Sequence, residues 1–378
     1  MSRVALSALV FAAVAYAQSS VPTFPATPLI SFSFPHPTDA PEQVYGPDRT
    51  FVRGPQSGYN RCNSTTENQN SLCQTSFVND ITDFCLWAPQ TSNSTIADTE
   101  GEEVAWCTKK GHGTRIMLDG TLQGIQVLNT PDYTMITGLI DQTKVNIQSG
   151  DAGGELDSGG QDTAGNPIGG LMYSTRFSPN NAGQIIHWTE FIGNNQFCIK
   201  ICKNDGTNPE GFCQHTLDRI GLGFNCPSKY TLGGGTSAGT FEVCDSDNMI
   251  VPGIYTLPGG TTTSYAQPPE SLGPIQTVPY TPVAAASSNC VTSASSALYT
   301  DLLTVSTSAT PSASGSATGS AGTTKATGSG AAASGSASRS GSASGANSTG
   351  ASQSGADALH MSMVATALGT LFAVAFFA

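Results

Sequence analysis

Residues 185–202 read IIHWTEFIGNNQFCIKIC. Two runs rich in Ile, Phe and Thr, 185–192 and 196–202, flank Gly193-Asn194-Asn195. Gly and Asn tolerate the positive φ that tight turns between antiparallel strands demand, so this stretch predicts a β-hairpin. Similar runs recur on both sides, at 114–117, 122–128, 133–140, 144–148, 171–174 and 240–244, each broken by Gly, Asp, Asn or Pro. Short strands at this spacing predict a mainly β domain, an antiparallel sandwich or barrel. One or two short helices are expected within it. Ser64 and Glu67 have capping-box spacing, and Cys73, Phe77, Ile81, Phe84 and Cys85 recur at helical intervals, which predicts a helix over 71–84. A second is expected over 216–220.

The ends of the chain predict an extracellular address. Arg3, an apolar run over 4–14 and Ala15-Tyr16-Ala17 form a signal peptide, residues 1–17, too short to cross a bilayer of about 30 Å. Residues 18–58 are Pro-rich and read as an extended arm. Beyond residue 290 the composition turns to Ser, Thr, Ala and Gly with almost no charge, which predicts an O-glycosylated stalk over 291–350. Residues 351–378 combine small residues, a polar spacer and an apolar tail with no basic stop, the pattern of a GPI-attachment signal removed at Gly350, or at Ser354.

Ten cysteines lie at Cys62, Cys73, Cys85, Cys107, Cys198, Cys202, Cys213, Cys226, Cys244 and Cys290. In an oxidising compartment such a set pairs into disulfides. Those from Cys62 to Cys244 are odd in number, so Cys290 is needed to complete the pairing, and the disulfide-stapled domain is expected over 59–290. The group Cys198, Cys202, Cys213 and Cys226 lacks the paired C-x2-C knuckles of a structural zinc site.

The formal charge of −12 and a pI near 4.7 exclude a phosphate-backbone partner, which would be held by Lys and Arg. No catalytic residue is assigned and no cofactor is expected. Gly235-Thr236-Ser237-Ala238-Gly239 spells G-x-S-x-G, yet no helix is expected after it and the only later histidine is His360, so no nucleophile elbow is read there. There is no H-E-x-x-H motif, and His112 and His187 read as structural. A copper centre from Cys213 and His215 would need a spare thiolate, which disulfide pairing removes. Asp151, Glu155, Asp157 and Asp162, interleaved with glycines, could wrap a hard cation, although not in EF-hand spacing. Carboxylates for glycoside hydrolysis could come from Glu102, Glu103, Asp119, Asp141, Asp151, Glu155 and Glu190. Trp87, Trp106 and Trp188 are expected in the core rather than as sugar platforms. Asn63, Asn93 and Asn347 begin N-glycosylation sequons.

The run CNSTTENQNSLCQTSFVNDITDFCLWAPQTSNSTIADTEGEEVAWC over 62–107, with TKKGHGTRI, TPDYTMITGLIDQTK, GDAGGELD, GNPIGGLMYS and FCIKIC, resembles the basidiomycete macrophage-activating glycoproteins over about 59–255. The resemblance implies a secreted, glycosylated fungal protein with a Ser-rich tail, and carries over no catalytic residue. Together these readings predict a GPI-anchored cell-surface or wall glycoprotein, a non-enzymatic module whose partner is wall polysaccharide or an extracellular protein. The alternative is a carbohydrate-active hydrolase using carboxylates over 102–190. Contact with the membrane is expected through the GPI lipid alone, and no nucleic acid is expected.

Overall fold

The computed structural model describes residues 27–47, 53–232 and 238–304. The chain divides into two units, 1–309 and 310–378, and every described residue lies in the first. The signal peptide, most of the stalk, Ser237, Asn347 and the GPI segment fall outside the described residues. Among the described residues no helix is long and apolar enough to cross a membrane.

The fold is mainly β. In chain order the strands are β1 Thr75–Asp80, β2 Asp83–Ala88, β3 Val104–Cys107, β4 Arg115–Ile116 and β5 Leu122–Asn129. There follow β6 Tyr133–Ile140, β7 Gly154–Asp157, β8 Leu171–Ser174, β9 Gly183–Ile185 and β10 Trp188–Gly193. The last are β11 Gln196–Cys202, β12 Phe241–Ser246, β13 Ile254–Thr256, β14 Thr262–Ser264 and β15 Ser287–Ser293. They build a six-stranded sheet, β4-β3-β2-β1-β8-β9, a seven-stranded sheet, β15-β12-β5-β6-β11-β10-β7, and a small β13-β14 hairpin. Pairing is antiparallel except at β1–β8, β3–β4 and β5–β12, which are parallel.

The two large sheets share one core. Trp87 on β2 meets Trp188 on β10 with ring centroids 5.8 Å apart, and Phe84 meets Phe197 of β11 at 6.1 Å. All three tryptophans are buried, as expected of core residues. The β10–β11 hairpin turns through Asn194 and Asn195, both at positive φ (49° and 57°), the geometry that right-twisted strands accept in a two-residue loop. Its inward side chains, Trp188, Ile192, Phe197, Ile199 and Ile201, join the main core. Its outward ones, Phe191, Cys198 and Cys202, form a second cluster with Tyr133, Met135, Phe212 and Met249, beneath a cap drawn from the chain after residue 203.

Two expected elements are corrected. The helix over 71–84 is a β1–β2 hairpin. Asp80 accepts hydrogen bonds from the Thr82 amide (2.7 Å) and hydroxyl (2.6 Å), a side-chain turn that competes with helix, and Cys85 lies opposite Cys107 in the ladder. The strand over 144–148 is replaced by a 3-10 helix, Gln142–Val145, whose cap Asp141 accepts from the Thr143 amide. The run 185–192 spans two strands, because the chain crosses between sheets at Ile186 and His187.

The ten cysteines form five disulfides, Cys62–Cys73, Cys85–Cys107, Cys198–Cys226, Cys202–Cys213 and Cys244–Cys290. The described part of the Pro-rich arm, 27–47 and 53–58, lies against the domain, burying Leu29, Ala40 and Tyr45. Residues 291–304, grouped with the stalk by composition, also belong to the folded unit. Tyr299 packs edge-on against Phe241, and Leu303 exchanges backbone hydrogen bonds with Asp119 and Met117. Cys244–Cys290 ties β12 to the edge strand β15 and closes a separation of 46 residues. Chain entropy assigns such a loop a stabilisation of roughly 4 kcal/mol. Cys290→Ser is expected to expose one titratable thiol and lower the melting temperature by several degrees; an unchanged melting temperature would contradict this role.

Candidate functional site

β7 is an edge strand of the larger sheet, and side chains alternate along it. Leu156 enters the main core, whereas Glu155 and Asp157 face outward. Asp157 stands opposite Thr189 of β10, and Thr189 opposite Lys200 of β11, so a row of polar side chains crosses the outer face of three strands.

Glu155 accepts a hydrogen bond from the Thr189 hydroxyl at 2.6 Å through Oε1; its Oε2 has no partner, although the residue is only 8% exposed. Asp157 Oδ1 accepts from the amides of Gly159 (2.6 Å) and Gly160 (2.7 Å) and lies 3.4 Å from His215 Nδ1. Gly159 permits that approach, since a Cβ there would stand 2.4 Å from His215 Cε1. Burial raises the Glu155 carboxyl well above its ordinary range, and the Asp157 charge raises it further. Burial also raises Asp157, against the pull of His215 and the two glycine amides. The fully buried Lys200 ammonium is brought down by desolvation to about 7, partly offset by Glu155, while its Nζ donates to the Asn225 carbonyl at 2.7 Å.

These groups lie at a cleft of about 420 Å³ lined by Glu100, Glu155, Asp157, Asn166, His215 and Asp218. Glu100 is raised by burial and by the charges of Asp157, Asp218 and Asp162, with Arg53 acting in the opposite sense. Arg53 is committed elsewhere, ion-paired to Asp162 and bonded to Asn166 and the Gly165 carbonyl. A larger groove of about 470 Å³, lined by Phe224, Tyr255, Tyr280 and several prolines, has no acidic side chain.

Of the four residues read as cation ligands, only Glu155 and Asp157 meet at the cleft. Asp162 is paired with Arg53, and Asp151 accepts from the Ile96 amide at 3.0 Å. Among the described residues, the only three such ligand atoms within 4.8 Å of one another belong to Glu242, Cys244 and Cys290, and the two sulfurs are joined in a disulfide. Cys202–Cys213 and Cys198–Cys226 use the four cysteines weighed for zinc and the thiolate weighed for copper. Of the carboxylates weighed for hydrolysis, Glu103 and Glu190 are buried in the core. Glu190 accepts the Trp87 amide at 3.0 Å, and Glu103 accepts the Thr99 hydroxyl at 2.7 Å. Glu102 and Asp119 are exposed away from the cleft, and Asp141 caps a 3-10 helix. His112 bonds to Asp83 at 2.6 Å and stacks on Phe77, a structural role. Asn63 and Asn93 are exposed.

Sequence reasoning read residues 150–170 as a loop and missed β7 within them. It also missed Glu100 and Asp218 and weighed His215 only for a copper centre; all three come from distant segments. The Cys202–Cys213 disulfide anchors the segment that carries His215 and Asp218, but nothing in their local sequence pointed to the cleft.

Glu103, Glu155 and Glu190 have one consequence for stability. Burial raises all three, so the folded state keeps protons that the unfolded chain releases above about 4.3. The native state then binds more protons, and stability falls as pH rises from there. His187, lowered by burial, opposes this with a single group, and Lys200 opposes it only above about 7. The melting temperature is expected to decline between pH 5 and pH 7, and Glu190→Gln to flatten the decline; a rise over that interval would contradict the assignment.

Two proteins of Mycosarcoma maydis are similar to this chain. It is 43% identical to appressorium protein ROW1 over 205 residues, covering 53% of this chain and 46% of that protein. It is 37% identical to appressorium protein ROW2 over 239 residues, covering 61% of this chain and 80% of that protein. The chain thus spans less than half of the first relative and most of the second. No family model and no solved structure matches it.

Proposed function

We propose that this chain, which belongs to the family of these fungal appressorium proteins, is a GPI-anchored surface glycoprotein whose stapled β domain holds wall polysaccharide in the cleft beside β7. The observation that carries the reading is the cleft itself. It is lined by planar carboxyl and amide groups, which hydrogen-bond hydroxyl-rich ligands, and supported by a disulfide-dense scaffold suited to an oxidising exterior. The tail composition supports the anchor, and the resemblance to macrophage-activating glycoproteins belongs to the same reading.

A second reading, glycoside hydrolysis, is favoured by Glu155 and Asp157 sharing one face of one strand at the cleft. Two carboxyls on one face of one strand are the raw material of paired acid/base chemistry.

Phosphatidylinositol-specific lipase is expected to release the protein from cells, and retention with the apolar tail attached would sink the anchor. Sedimentation with insoluble wall polysaccharide is expected to capture the released protein without liberating reducing ends, and Asp157→Asn to reduce capture several-fold. Steady release of reducing sugar, lost in Glu155→Gln, would move the assignment to the hydrolase.

A further inference from the structure

The charge around the cleft restricts the kind of polysaccharide that fits. Glu100, Glu155, Asp157 and Asp218 all line it. Of the nearby cations, Arg53 is spent on Asp162, and Lys200 lies fully buried with its Nζ on the Asn225 carbonyl. His215 is the one basic side chain in the lining, set against four carboxyls. Glu100 is raised first by burial; Arg53 pulls the other way, and the charges of Asp157, Asp218 and Asp162 add to the rise. Beneath them the Glu155 Oε2, unpartnered on a residue more than nine-tenths buried, is an acceptor or donor site that no protein group fills. A ligand group placed against it would supply the hydrogen bond that the fold leaves unmade.

A compact metal ion is a poor match. Among the described residues no three acidic, histidine or cysteine ligand atoms in this cleft gather within 4.8 Å. An anionic ligand would add repulsion to an already crowded set. A neutral glucan would satisfy hydrogen bonds but leave the charge unrelieved. Positive charge spaced along an extended molecule, with hydroxyls between, suits four carboxyls that line one cleft without converging on a point.

We infer that the cleft takes a hexosamine polymer bearing free protonated amines, a deacetylated chain rather than its N-acetylated parent or a neutral glucan. This rests on the reading of the cleft as a polysaccharide site. The net charge of −12 would draw any polycation, so the test has to separate cleft from surface.

Binding of glucosamine hexamer, N-acetylglucosamine hexamer and a β-glucan hexamer to the full purified chain is measured by calorimetry at pH 5.5. The amine hexamer is expected to bind at least tenfold more tightly than either of the others. Raising salt from 0.05 to 0.5 M should weaken it several-fold, as screening requires. Glu100→Gln/Asp218→Asn should weaken it about tenfold with an unchanged melting temperature. Asp119→Asn/Asp205→Asn, which removes the same charge from exposed sites elsewhere, should leave it within twofold. Equal weakening by both pairs would overturn the inference in favour of diffuse attraction. Tighter binding of the N-acetylated or glucan hexamer, insensitive to salt, would overturn it while leaving the polysaccharide reading intact, and no binding of any hexamer would remove both.

Discussion

The β10–β11 hairpin is buried on both faces, and most of the architecture answers to that. A ribbon with Trp188, Ile192, Phe197, Ile199 and Ile201 on one side and Phe191, Cys198 and Cys202 on the other needs two covers. The six-stranded sheet supplies the first through β2. The second is a cap with little regular structure, a few short helical turns and the β13–β14 hairpin. Each buried Phe or Met beneath it is worth about 1.5–3 kcal/mol, too little alone to order so many residues without ladders. Cys198–Cys226 and Cys202–Cys213 fasten the cap to β11 itself.

Burial on the outer face also sets the chemistry. Lys200 lies between the two cysteines on β11, and a buried ammonium is tolerated only where acceptors and counter-charge meet it. The Asn225 carbonyl supplies the acceptor, and Glu155, across Thr189, offsets only part of the desolvation that lowers the ammonium. Beyond Glu155 the row reaches the edge of the sheet, where the cover stops short and Asp157 meets His215. The cleft is thus the place where a buried polar row meets solvent before it is fully satisfied. Gly153, at φ +84°, lets the chain enter β7 against the hairpin, since a Cβ would lie 1.9 Å from the Ile192 carbonyl oxygen.

The hairpin was legible in the sequence because Gly193, Asn194 and Asn195 tolerate the positive φ that a tight turn between strands needs, and the parity of the cysteines pointed correctly to Cys290. The helix expected over 71–84 failed for a physical reason. A hairpin with a bulge between Val78 and Asp80 shifts the alternation by one residue, and the resulting spacing of Phe77, Ile81 and Phe84 imitates a helical stripe. β7 was hidden because its flanking glycines and acids resemble a loop, and β15 because a fully exposed edge strand, SSNCVTS, needs no apolar residues. Of the cleft, Glu155 and Asp157 were visible as an acidic cluster. Glu100, His215 and Asp218 were not, because they lie on segments far from β7 in sequence and meet it only in the fold.

On the proposed reading, this cleft, and not the aromatic groove beside Tyr255 and Tyr280, takes the wall polysaccharide. Amide chemical-shift mapping of the isotope-labelled protein with an oligosaccharide derived from fungal wall tests it most directly. The account predicts perturbations concentrated at Gly153, Asp157, Gly160, Thr216 and Asp218. Perturbations gathered instead at Val251, Tyr255 and Tyr280, with the β7 amides unmoved, would contradict it.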